Sequence, residues 1–586
     1  MGEGLGNVHA RRRFTGRARF YAAAGAAAAL TAGVVVGTTV TGANASPNTV
    51  NSVPSPAATP QAKYQVVAPT ATPIKHLVVI FDENESFDHY FGTYPYSTNT
   101  DGNHFSAASG TPSVTGLAST IVTAPAKKKV VGATGQLLTN NPNAYNPQRL
   151  SYSEALTCDQ NHDYGPEQTA YDNGRQDLYV QNTGSDATCN AGTSSEFASP
   201  GLVMDYYDGN TVTGLWNYAQ HFAMSDNDYD TNFGPSTPGA INLVSGMDGG
   251  GYAVSPTTGT VEPDPGGVSA LNSAGLGTIY GDLDPAFDDC SDSSHTSTSP
   301  VGVLTGQNIG NMLNEEDVTW GWFQGGFAPT GTNSAGYKVC GSEHQNIAGT
   351  EVQDYTPHWD PFQFYKSTAN PKHLPPASEA AIGRTDQANH QYDLSDFAKT
   401  LKDGNMPAVS FLKPDTYQSG HPGESDPIDE QHFLVNTINQ IEASKYWDST
   451  AIIITYDDSD GWYDSATPAT GLVNGSDTSA DGSACAAAPD VMGGYPDRCG
   501  YGPRLPLLVI SPYTQQNYVS ANVTDTSSID QFIEDNWLSG ARIGNGSFDA
   551  VAGSLYKTSG VLDFVDPPHF TPVYLNPATG EVQSQP

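Results

Sequence analysis

Four short runs of apolar residues constrain this chain more than anything else in it: HLVVIF (76–81), AVSFL (408–412), AIIITY (451–456) and PLLVIS (506–511). They are uninterrupted and rich in branched side chains, as strands are when both faces are buried under helices. Between the second and third lies DPIDEQHFLVNTINQIEASKYW, where Leu434, Ile438 and Ile441 mark one helical face and Asp429 and Glu430 suit the N-terminus. SSIDQFIEDNW repeats the pattern with Ile529, Phe532, Ile533 and Trp537. This order predicts an α/β fold: a central, largely parallel sheet with helices on both faces, its ligands gathered beyond the carboxyl ends of the strands. The 61 Gly and 41 Pro among 586 residues leave room for long loop insertions, expected at about 101–144 (with Lys127-Lys128-Lys129 as a solvated patch), 249–300 and 464–500.

The N-terminus reads as an address. RRRFTGRARF is followed by an uncharged Ala/Gly-rich stretch ending in Ala43-Asn44-Ala45, so residues 1–45 are expected to be a signal peptide. The Arg-Arg-x-Phe order at Arg11–Phe14 points to the twin-arginine type, with an uncleaved anchor as the alternative. Residues 46–72 are a Pro/Ser/Thr/Ala linker, and a single catalytic domain is expected over 73–586. Without the leader's five Arg and one Glu, the chain keeps 19 basic and 61 acidic residues, a net −42. Such a field repels nucleic acid and anionic lipid, so an anionic substrate needs a local source of positive charge. All six cysteines follow the leader and none forms Cys-x-x-Cys, which favours disulfides over a zinc cage. Of the 15 possible pairings, the sequential one (158–189, 290–340, 485–499) is expected.

Two of the buried strands end in oxygen ligands. HLVVIF runs into Asp82-Glu83-Asn84, and AIIITY into Asp457-Asp458-Ser459-Asp460. One acidic strand end is ordinarily a turn or a helix cap. Two in one sheet repel each other unless a cation binds them, and oxygen donors without cysteine suit a hard or borderline divalent ion. In NFGPSTPGAINLVSG (232–246), Pro235 and Pro238 bracket Ser236-Thr237; this is either a plain turn or a presented hydroxyl nucleophile. His162, His358 and His421 lie beside acids in Gly/Pro-punctuated loops, where they could bind phosphate and donate protons.

IKHLVVIFDENESFDHYFG resembles the signature of the bacterial phosphoesterase family of phospholipases C and acid phosphatases, in the alkaline-phosphatase superfamily. The likeness continues through HDYGPEQTAYDNGRQDLYV, GPSTPGAINLVSG, PHWDPFQFYKSTANPKHLPP, LKPDTYQSGHPGESDPIDEQHFLVNTINQI, ITYDDSDGWYD and YGPRLPLLVISPY, scattered over about 73–540. It implies an alkaline-phosphatase-like fold and one divalent metal ion held by Glu83, Asn84, Ser236, Asp457 and Asp458. It also implies Ser236 as nucleophile, with His162, His358 and His421 holding the phosphoryl oxygens or protonating the leaving group. Asp88, His89 and Phe91 are left as helix-start and packing residues. The chain departs from the family pattern in three places. Asp82 and Glu85 stand where Gln and Arg are usual, and Trp359 where a second His is common. These bear on phosphate affinity and substrate preference, not on the class of reaction.

PSTPGAINL resembles the acid phosphatase branch, whereas phospholipases C of the family more often have Asn-Arg in place of Gly239-Ala240. The tail after about residue 540 is also short for the extra β domains of many phospholipases. A secreted phosphomonoesterase is therefore expected. The alternatives are a phospholipase C acting on phospholipid head groups and, from another class, a metal-stabilised surface protein that binds without turnover.

Overall fold

The computed structural model describes residues 68–118, 137–184, 200–263, 266–269, 271–294, 296–467 and 501–583. The expected leader, most of the expected linker, Lys127-Lys128-Lys129, and Cys189, Cys485 and Cys499 lie outside them.

The apolar runs are strands. β1 (His76–Asp82) is buried throughout and sits in the middle of an eight-stranded sheet. The other strands, in chain order, are β2 (Ala223–Ser225), β7 (Trp320–Gln324), β8 (Gln391–Asp393), β9 (Val409–Lys413), β10 (Thr450–Tyr456), β11 (Leu507–Ile510) and β12 (Tyr518–Ser520), ordered β8-β7-β9-β1-β10-β11-β2-β12 across the sheet. All ladders are parallel except those of β11, which runs against both β10 and β2. PLLVIS is thus a strand of the opposite direction, which an apolar run does not encode.

Period-two alternation divides β1 between two cores. Val78 and Ile80 face one cluster with Leu434, Ile438 and Ile441 of α6 (Pro427–Glu442). Leu77, Val79 and Phe81 face the other with Ile241 and Val244 of α4 (Ser236–Ser245) and Ile529, Phe532 and Ile533 of α7 (Ser528–Trp537). Helices on both faces explain why such strands tolerate no polar alternation. α6 starts where its sequence allows: Pro427 occupies the first turn, and the Asp426 side chain accepts from the Ile428 and Asp429 backbone N–H groups. Of the remaining helices, α1 (Phe87–Phe91), α2 (Tyr164–Tyr171) and α3 (Thr213–His221) precede α4, and α5 (Leu394–Asp403) precedes β9.

One expectation needs correction. The stretch 249–300 is not a plain loop: β3 (Gly249–Val254), β4 (Val261–Glu262), β5 (Gly277–Thr278) and β6 (Val301–Leu304) form a second sheet, and Ala253, Ile279 and Leu304 join the second core. The chain is also tied down before Pro73, since Ala71 and Thr72 donate backbone N–H groups to the backbone and side chain of Asn536. Cys290 and Cys340 form the expected disulfide, with Cα atoms 5.7 Å apart, and Cys158 is disulfide-bonded as well. Among the described residues no helix is long and apolar enough to cross a membrane.

Candidate active site

The ladder of β1 with β10 pairs His76 with Thr450 and runs to Asp82 opposite Tyr456. The next residues of each strand, Glu83-Asn84 and Asp457-Asp458, therefore emerge side by side at the carboxyl edge of the sheet. Asn84 adopts φ 59°, a left-handed conformation that Asn tolerates better than most side chains. Its backbone N–H donates to Asp457 Oδ1 at 2.9 Å, and that of Asp458 to the same oxygen at 2.8 Å. The two strand ends are locked together.

Ser236 is the first residue of α4. Its Oγ lies 3.1 Å from Glu83 Oε2, 3.2 Å from Asp458 Oδ2 and 3.3 Å from Asn84 Oδ1. A Cβ on Gly239, one turn along α4, would come within 2.0 Å of the Asp457 carbonyl oxygen, so only glycine lets the helix approach this closely. All five oxygen-bearing residues are buried.

The donor set fits a cation. Asn84 Oδ1 faces only acceptors in the Ser236 cluster; the reversed amide would instead put its nitrogen there, 3.1 Å from Glu83 Oε2, and its oxygen 3.3 Å from His421 Nε2. A divalent ion at the centre would favour the oxygen-inward orientation. Asp457 Oδ2 is buried without a hydrogen-bond partner among the described residues, which a cation would also satisfy. Burial first, then the charge of Asp457, pushes Glu83 well above the usual carboxylate range; burial and Asp457 do the same to Asp458. Such repulsion is what a divalent ion relieves.

The histidines take distinct places. His162 Nδ1 lies 3.0 Å from Asp460 Oδ1, leaving Nε2 3.5 Å from the Asn84 side-chain nitrogen. Burial lowers its pKa, but Asp458, Asp460 and Asp159 outweigh that and hold it well above the ordinary value. Asp159, His162 and Asp460 also form a second tight donor group. His421 turns Nδ1 to the Pro422 carbonyl at 2.8 Å and stacks against Trp359. His358 Nδ1 lies 3.4 Å from Asp284 Oδ1, in the second sheet's excursion.

One buried side chain beside the cluster carries no expectation from the sequence. Lys413, the last residue of β9, is fully buried; its ammonium pairs with Glu83 Oε1, donates to the Asp82 carbonyl and lies over the rings of Phe81 (4.5 Å) and Trp359 (4.8 Å). The unusual Trp359 thus roofs a buried cation beside the cluster. The signal was a lysine closing an otherwise apolar strand at the carboxyl edge. The other departures stand outside the Ser236 cluster: Asp82 meets the like charge of Glu430 of α6, and Glu85 lies 3.7 Å from His89 Nε2. Asp88 and His89 are packing residues, the first paired with Arg504 at 3.0 Å and the second stacked on Trp462.

Fold and cluster together define an α/β protein with a cation-fitting oxygen site and a helix-borne serine at the carboxyl edge of its sheet. The chain belongs to the Phosphoesterase family, whose profile matches residues 74–538. It is 24% identical over 475 residues to the non-hemolytic phospholipase C of Burkholderia pseudomallei, covering 79% of this chain and 55% of that one. It is 27% identical over 194 residues to phospholipase C A of Mycobacterium tuberculosis, 33% of this chain and 36% of the relative. It is 30% identical over 138 residues to non-specific phospholipase C6 of Arabidopsis thaliana, 22% and 24% of the two. The chain spans about half the length, or less, of these curated relatives. A solved structure described as a protein in the alkaline phosphatase superfamily from Vibrio parahaemolyticus matches at 12% identity and a TM-score of 0.24, over 56% of this chain and 62% of that one.

Proposed function

We propose that this chain is an exported phosphoric ester hydrolase that works through a phosphoserine at Ser236 and prefers monoesters. The observation that carries the reading is the convergence of Ser236 Oγ with Glu83, Asn84 and Asp458 at 3.1–3.3 Å. One divalent ion would be held by Glu83, Asn84, Ser236, Asp457 and Asp458. When bound, it would lower the pKa of the serine hydroxyl and polarise a phosphoryl oxygen.

The chain's own residues supply the rest. Ser236 Oγ, its proton lost to solvent, forms the bond to phosphorus as the ester P–O bond breaks. The departing oxygen takes a proton from His162 Nε2, whose other nitrogen is fixed by Asp460. Water then attacks the phosphoserine and gives a proton to His162, the Ser236 Oγ–P bond breaks, phosphate leaves, and Ser236 regains its proton from solvent. His358 and His421 bind phosphoryl oxygens, while Lys413 balances Glu83.

The monoester preference rests on Gly239. An asparagine there, as in the phospholipase-like Asn-Arg pair, does not fit against the Asp457 carbonyl. The second reading, phospholipase C, is favoured by the names of the relatives. Assaying p-nitrophenyl phosphate beside phosphatidylcholine vesicles, with added divalent metal and with chelator, separates the readings. The expected result is monoester turnover that chelation abolishes while the far-UV circular dichroism persists. Full turnover in chelator removes the metal, a preference for vesicles selects phospholipase C, and no turnover of any ester leaves a binding protein.

A further inference from the structure

The excursion between α4 and β6 brings an acid to the nucleophile. Thr237, the residue after Ser236, is fully buried, and its backbone N–H lies in the first turn of α4, where no intrahelical acceptor exists. That N–H donates to Asp282 Oδ1 at 3.0 Å. Asp282 itself is exposed, so its carboxylate reaches from solvent to a buried donor. Two residues on, Asp284 approaches His358 at 3.4 Å. Burial lowers the pKa of His358, but the charges of Asp282 and Asp284 outweigh it and raise the pKa above the ordinary value. One carboxylate therefore touches the helix terminus beside the serine and the field of a phosphate-binding histidine.

A backbone N–H just past a nucleophile, at the N-terminus of a helix, is suited to receive the oxygen that gathers charge during transfer. We propose that Asp282 is the resident occupant of that position: it holds the Thr237 N–H in the free site, swings aside for the substrate's phosphoryl oxygen, and returns to help expel phosphate. The proposal rests on Ser236 being the nucleophile. Two features make the exchange feasible. An exposed carboxylate regains water when it leaves, and its charge disfavours a phosphate dianion that lingers beside it. Asp282 would then set how tightly anions are held, and so distinguish substrate from product inhibition. The plainer alternative is that Asp282 only caps α4.

The test uses the full chain with divalent metal, as wild type, Asp282→Ala and Asp282→Asn, titrated with orthophosphate by calorimetry and assayed with p-nitrophenyl phosphate. Asp282→Ala should bind orthophosphate about tenfold more tightly, the effect of one displaced charged contact. KM should fall with it, and kcat should fall or hold as release slows. Asp282→Asn keeps an acceptor for the helix but loses the charge, so it should lie between wild type and alanine. A lower melting temperature for Asp282→Ala, with phosphate affinity unchanged or weaker in both variants, would make Asp282 a cap and overturn the proposal while leaving the Ser236 reading intact. If neither wild type nor variants bind orthophosphate or turn over ester, the Ser236 reading falls and this one with it.

Discussion

Ser236 and Thr237 offer adjacent hydroxyls, and their surroundings separate them. Ser236 Oγ meets three oxygens of the cation-fitting cluster, while Thr237 Oγ1 is buried with no hydrogen-bond partner among the described residues. Only the first is placed to be activated. Ser236→Ala should lower kcat by about 10⁴-fold or more, the scale of removing a nucleophile, and leave substrate binding in place. Thr237→Ala should cost no more than about tenfold. Acid quench during turnover and mapping of the phosphopeptide checks the assignment; phosphate on Thr237, or an active Ser236→Ala enzyme, would sink it. At this scale the sequence was most informative where residue types were chemically rare together, as in Glu83-Asn84 and Asp457-Asp458 at two strand ends. It was silent on Lys413, because a lysine after an apolar run is ordinarily a solvated strand end. Only the fold shows Trp359 and Phe81 closing over it.

Among elements, the contact that sets the site is α4 against the end of β10. Gly239→Ala tests it by sign. Alanine is the better helix former, by about 1 kcal/mol, so in a loosely packed helix the substitution stabilises. Here the new methyl would lie 2.0 Å from the Asp457 carbonyl, and backbone cannot yield as a flexible side chain can. Overpacking of this kind costs about 1–3 kcal/mol, which outweighs the propensity gain. The expected result is a lower melting temperature together with about a hundredfold loss of turnover, because Ser236 moves with its helix. A stabilised, fully active variant would show that the close approach is not required. The same scale explains what was legible. Strands buried on both faces leave long apolar runs, and α6 and α7 leave their stripes. The second sheet leaves neither: β3 begins with three glycines, β4 is two residues long and largely exposed, and β5 is two residues long. Such strands carry almost no propensity signal. The reversed direction of β11 was equally hidden, since side-chain periodicity is the same either way.

For the whole molecule, the excess of acid makes stability a function of pH with a definite sign. Away from the site, burial raises the carboxyl of Asp228 to about 8, Glu442 to about 8, Asp205 to about 7 and Asp415 to about 7. A carboxyl raised in the fold keeps a proton that the unfolded chain has already lost. Its contribution is therefore complete below the unfolded value near 4 and disappears as pH climbs to 7–8, at about 1.4 kcal/mol per pH unit per group. Three buried histidines act the other way. Burial lowers His76 to about 4, His390 to about 4 and His89 to about 3, so their contribution is present above 6.5 and lost as pH falls toward those values. Between about pH 5.5 and 8 the histidines change only over the first unit, whereas the four carboxyls change over most of the range, so the carboxyls prevail. The protein should therefore melt several degrees higher at about pH 5.5 than at about pH 8. Calorimetry with chelator at both pH values checks this, since chelation removes the pH dependence of metal binding from the comparison. A melting temperature that rises from 5.5 to 8 would mean that the histidines, and not the buried carboxyls, govern the fold's response to acid.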